Sequence, residues 1–221
     1  MIQPDARRRL TTEDLRLLLH QEGTAPAGRE DLDIWLQEVP LDQVLDQPGL
    51  PDRLEAAPVP GPSPSLFFYV LVRHALLARG LDDRIVADYC AALLREFGVR
   101  DRAWRIAPVD DHEHRYLVDI LADLSASTGE RQFRVMVHLG NHALWRAGLF
   151  ARRIAAVRDR RGGPDLRYYD ALGYRGYAEA SGHWLAQRAG LDGVLRTAAE
   201  HWSTVRSALN DVSERLDRRA A

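Results

Sequence analysis

The chain has 221 residues, 46% hydrophobic and 28% charged, with a formal net charge of −2. That is the composition of one globular domain, or of a domain with an arm, and it excludes a disordered or fibrous chain. The longest apolar run, Leu66 to Val72, falls far short of the roughly 20 residues of a spanning helix. Cys90 is the one cysteine, so a disulfide framework and a cysteine-rich zinc site are both excluded.

Met1 to Leu10 carries arginines with no apolar stretch behind them, so no secretory signal is expected and the expected setting is cytoplasmic. The near-neutral total points away from nucleic acid as a partner. It hides an asymmetry: residues 1–60 hold 12 acidic and 6 basic side chains, the remainder 20 acidic and 24 basic. An acidic arm and a basic body of this kind attract each other. All 30 basic residues are arginine, which suits bidentate contacts to carboxylate or phosphate. GC-rich coding gives lysine-free chains as well.

In chain order the pattern reads as an all-α protein, a single helical bundle body with a short helical N-terminal arm. Thr11 and Thr12 precede Glu13, Asp14 and an apolar run to His20, a capped helix start, and Gly23 ends that helix. Glu30 to Glu38 reads as a second short helix, stopped by Pro40. The arm takes residues 1–57. Pro58, Pro60, Pro62 and Pro64 alternate through a stiff linker, residues 58–65, and the bundle takes residues 66–221. Leu66 to Ala78 is apolar nearly all round, as a buried helix is. Asp82 is expected to cap a helix from Asp83 to Phe97, and a further helix is expected from about Asp111 to Leu124. Ser127 with Glu130 matches a capping box opening the next helix, which runs to about Phe150. Arg158 to Gly163 reads as a basic loop, Asp165 to Ala189 as a helix stopped by Gly190. Leu195, Ala198, Trp202, Val205, Leu209, Val212 and Leu216 form an a/d seam over three heptads, read as one helix. No alternating strand pattern is present.

Four constellations carry the chemistry. In the hairpin 111–150, antiparallel pairing about Ser127 sets Asp123 opposite Arg131, Asp119 near Arg134, Tyr116 near His138 and His112 near His142. His138 and His142 are four apart and project from one helical face, so with His112 and Asp119 they make a candidate metal site, and a transition metal is the one cofactor this implies. The di-iron pattern fails, because Glu113 is followed three residues on by Tyr116. Solvated salt bridges are the simpler account of the same stripe.

Arg131 and His138 form an R-x6-H spacing, which resembles the signature of HEPN ribonucleases. That resemblance implies a histidine acid or base and an arginine holding phosphate. It covers eight residues and makes Arg131 and His138 the candidate catalytic pair.

Third, seven arginines fall between Arg146 and Arg167 against only Asp159 and Asp165. Arg152, Arg153, Arg158, Arg160 and Arg161, followed by Tyr168 and Tyr169, make a candidate anion-binding surface. Fourth, Tyr169, Gly173, Tyr177, Ala180 and Trp184 share a helical face. Glycines there each cost a helix about 1 kcal/mol relative to alanine, so close packing is expected to offset them. His74 and His183 read as hydrogen-bonded core or boundary histidines.

Gly140 to Phe150, with its Gly-Asn-x-Ala-Leu-Trp-x-x-Gly-Leu-Phe pattern, and the Tyr168-Tyr169-x-x-x-Gly173-x-x-x-Tyr177 pattern resemble segments of uncharacterised bacterial all-helical proteins. That resemblance implies the fold and a bacterial, cytoplasmic setting, and no activity. No G-x-S-x-G elbow, H-E-x-x-H or dinucleotide fingerprint is present. The sequence therefore reads first as a helical binding or scaffold protein rather than an enzyme. Its expected working faces are the arginine-rich surface and a helix carrying Leu195, Trp202, Leu209 and Leu216, open to a protein partner or a second copy. A metal-dependent enzyme is the second reading and a HEPN-like ribonuclease the third.

Overall fold

The computed structural model describes residues 1–21, 40–57, 61–99, 101–107 and 109–220, and helix is the only regular structure among them. The chain is all-α, as its periodicity requires. The helix expected over Glu30–Glu38, its neighbour Gly23, and Pro58 and Pro60 of the linker lie outside the described residues.

The body is built on two helices whose middles are covered on every side. One is α5 (Arg84–Phe97), buried from Val86 to Leu94, and the other is α7 (Gly129–Leu149), buried from Val135 to Trp145. Against α5 lies α4 (Pro64–Ala78). It starts two residues before the expected Leu66, because Ser63 accepts from the Leu66 N–H and Pro64 occupies the first turn, where its missing N–H costs nothing. The cap of α5 is Asp83 rather than Asp82. Asp83 accepts from the Ile85 and Val86 N–H groups, while Asp82 accepts from the guanidinium of Arg73.

Across α7 runs α9 (Leu166–Ser181). A Cβ on Gly176 would stand 2.7 Å from the Gly140 backbone nitrogen, and one on Gly140 would stand 2.3 Å from the Tyr177 ring. The glycines are what lets these two backbones approach. On the same face a Cβ at Gly173 would meet the Trp202 ring at 1.9 Å. The glycine face that would have received a ligand is thus filled by Trp202 and by α7, as close packing predicts.

The final seam divides into α11 (Asp192–Glu200) and α12 (Trp202–Ala220), with a break at His201 where one helix was expected. Leu195, Ala198, Trp202, Val205, Leu209 and Val212 are buried within the chain, and Leu216 is partly buried against the core. Leu195, Trp202 and Leu209 therefore leave no apolar stripe open to a partner or a second copy, which corrects that part of the expectation. The helix expected over Asp165–Ala189 also divides. It ends at Ser181, and His183 caps the short α10 (Trp184–Arg188) by accepting from the Leu185 N–H.

The arm contributes α1 (Thr12–Gln21), α2 (Leu41–Leu45) and α3 (Leu50–Glu55). Ile2, Ala6, Leu18, Leu19, Val44, Leu45, Leu50 and Leu54 are buried in the same apolar core as the body. Ion pairs join the two parts: Arg7 to Asp88, Arg73 and Arg84 to Asp46, Arg95 to Asp5, and Arg215 to Asp52 and Glu55. Among the described residues, Asp5, Asp42, Asp46, Asp52 and Glu55 of the arm pair with arginines of the body.

Candidate functional site

The first site region lies where α6 (Leu117–Ala126) folds back on α7. Helix was expected from Asp111, but residues 110–116 are irregular. The His114 N–H donates to the Trp104 carbonyl at 2.6 Å, the Ala107 N–H to Asp110, and the Tyr116 N–H to the Asp119 carboxylate, which opens α6. These bonds hold the segment on the body and away from a helix axis. At the other end the expected capping box is absent. Thr128 precedes α7, Ser127 donates its hydroxyl to Asp123, and Glu130 pairs with Arg134.

One predicted contact forms as the antiparallel register requires. Arg131 Nη2 meets Asp123 Oδ2 at 2.5 Å, and Arg131 Nη1 meets Asp110 Oδ2 at 2.8 Å. Burial acts to raise both carboxyls, and the hydrogen bonds from Arg131 outweigh it, so Asp110 and Asp123 stay below their usual range. His114 Nε2 stands 3.0 Å from Asp123 Oδ2, a partner the sequence reading missed. The other three pairings do not form: residues 112–116 leave the helical register, and Arg134 pairs with Glu130 instead of Asp119. Tyr116 and His112 are exposed, and Asp119 holds the start of α6.

His138 and His142 do share a face, with ring centroids 6.0 Å apart, but inside the core. Their surroundings are aromatic: Phe97 at 5.8 Å from His138, Trp104 at 5.6 Å from His142, with Trp145 beside both Phe97 and Trp104. His142 Nδ1 meets the Ala103 carbonyl at 3.2 Å. Burial pushes His142 down to about 4 and His138 well below the ordinary histidine range, so both rings are neutral at pH 7. The proposed metal set does not assemble. His112 is exposed on the outer cleft with Asp119, away from the buried pair, and among the described residues no three His, Cys, Asp or Glu side chains converge as ligands.

The catalytic pair is likewise separated in role. Arg131 is held between two carboxylates at the surface, and His138 lies two turns along α7 in the core. Cys90 is buried and its thiol is pushed up to about 12 by that burial, so it is no nucleophile.

The arginine-rich stretch is helical rather than looped. It forms α8 (Ala151–Arg161), closed by Gly162 at a φ of +66°, a conformation glycine adopts without strain. Ile154 is its one buried residue among those described, and every residue from Ala155 to Arg161 is exposed. Arg152 pairs with Glu214 and Arg158 reaches Asp165 at 3.8 Å. Arg153, Arg160, Arg161 and the neighbouring Arg167 have no carboxylate partner among the described residues, whereas the arginines packed on the body are mostly paired. Arg153, Val157 and Arg160 fall at helical spacing on one side of α8. Tyr168 is exposed nearby, while Tyr169 packs on the core.

Where α7 passes into α8, a cleft of about 360 Å³ opens against α12. Its floor is set by α12: Asn210 donates to the Ala147 and Gly148 carbonyls and Ser213 to that of Leu149, satisfying the last turn of α7. Leu149, Phe150, Ala151 and Leu216 supply apolar wall, and Arg152, Arg153, Glu214 and Asp217 line it with charge, Arg152 and Glu214 being paired with each other. Asn210 and Ser213, polar positions beside the a/d seam, are the sequence signal for this cleft. Comparison with family models, with curated proteins and with solved structures finds no match to this chain.

Proposed function

We propose that the protein is a binding or scaffold protein whose helical body presents α8 to an anionic partner. The observation that carries this reading is α8 itself. It extends from the core after Ile154, and it keeps Arg153, Arg160 and Arg161 unpaired in a chain that pairs most of its other arginines. The acidic arm, the obvious internal partner, spends its described carboxylates elsewhere. A bacterial, cytoplasmic setting belongs to the same proposal. No helix among the described residues is long and apolar enough to cross a membrane.

The test is fluorescence anisotropy with a labelled oligoglutamate peptide at 50 and 200 mM NaCl. The wild type is expected to bind, more weakly at the higher salt as screening grows. The triple reversal R153E/R160E/R161E is expected to lose at least tenfold in affinity. Equal binding by the reversed variant would overturn the reading.

A further inference from the structure

The α7–α8 cleft and the arginines of α8 form one continuous surface, because Arg153 belongs to both. From Arg153 to Arg160 the helix advances about 10 Å at 1.5 Å per residue, with Val157 between them. The surface therefore has an apolar end, walled by Phe150 and Leu216, and a cationic end. A nucleic-acid backbone carries charge without interruption, and the apolar wall of the cleft and the Asp217 carboxylate offer it no partner. A peptide can space its charges, placing an apolar side chain in the cleft and its carboxylates over Arg153 and Arg160. About three extended residues span that distance at roughly 3.3 Å each.

We infer that the cleft between α7, α8 and α12 receives an apolar side chain of an acidic peptide segment whose carboxylates then lie along the arginines of α8. This rests on the reading of α8 as an anion-binding helix, and it names the partner as an acidic protein segment with an apolar anchor.

The experiment compares three labelled probes on the intact protein: an acidic 12-residue peptide with a central leucine, the same peptide with serine in its place, and a single-stranded 12-nucleotide DNA. The leucine peptide is expected to bind at least tenfold tighter than the serine peptide and the DNA. Ala151→Trp, which fills the cleft, is expected to erase that advantage while serine-peptide binding persists. Leu216→Ser is the second variant and is expected to do the same should Ala151→Trp disturb the fold. Equal binding of the leucine and serine peptides would overturn the inference and leave anion binding by α8 standing. DNA binding as tight as the leucine peptide would also overturn it. Failure of every probe would overturn both.

Discussion

Helices α7 and α8 are joined through Phe150 alone and are built on opposite terms. Along the middle of α7 every side chain is covered: Asn141 accepts from both the Tyr89 and Tyr177 hydroxyls, at 2.7 and 2.8 Å, His142 Nδ1 meets the Ala103 carbonyl, and His138 Nε2 is buried with no hydrogen-bond partner among the described residues. Along α8, past Ile154, no side chain is covered and the charges face water. The difference separates two uses of sequence within 33 residues of chain. In the middle of α7 the residues specify a fold, and truncating a buried side chain leaves a void or an orphaned polar group. In α8 past Ile154 the exposed side chains contribute little to folding, as the proposed binding role requires.

The largest effect is expected at the body side of this contrast. Trp202 fills the hollow over Gly173 and donates from Nε1 to Asp170 at 2.8 Å. Trp202→Ala is expected to cost about 4 kcal/mol, read as a fall in chemical-denaturation midpoint. An unchanged midpoint would mean the seam is not packed. Gly176→Ala comes next, at about 3 kcal/mol, since its Cβ meets backbone rather than a side chain that can rotate away. At roughly 2–4 °C per kcal/mol for a chain of this size, a thermal melt should drop by about 10 °C.

Acid sharpens the comparison further. His138 and His142 have lowered folded pKa values, so the unfolded chain binds protons that the folded one refuses. Their contribution is whole above the unfolded value near 6.5 and is lost as the pH falls from there toward about 4 for His142. Between pH 7 and 5 each histidine is expected to cost roughly 2 kcal/mol of stability. His142→Asn should flatten that slope, and a melting temperature level across this range would show that the rings are not buried and neutral. The smallest effect belongs to α8. R153E/R160E/R161E should leave stability within about 0.5 kcal/mol of the wild type.

The fold was legible where apolar spacing speaks for itself. The buried character of α4, the heptad seam and the glycine crossing all follow from side-chain size and period. What the sequence hid was local polar competition. Residues 111–116 have helical composition, yet Asp110, His114 and Asp119 each bond backbone in the irregular segment, and one missing turn moved His112 out of reach of His142. A spacing of four correctly set His138 and His142 on one face, but spacing cannot tell a wet face from a dry one. The Arg131–Asp123 pair was readable because it lies next to the turn, where register error is least. The charge density of the arginine stretch marks it as a surface but hides its helix, which Gly162 ends only after Arg161. The His114–Asp123 contact is hidden because residues 110–116 leave the helix, and the α12 side of the cleft because it depends on contacts between segments far apart in sequence.

If α7 carries the fold and α8 serves the proposed partner, native-state amide hydrogen exchange shows the division most directly. Amides of Val135–Trp145 should exchange only through global unfolding. Those of Val157–Arg161 should exchange orders of magnitude faster, and slow when the leucine-bearing acidic peptide is added. Equal protection of both helices in the free protein would contradict the account.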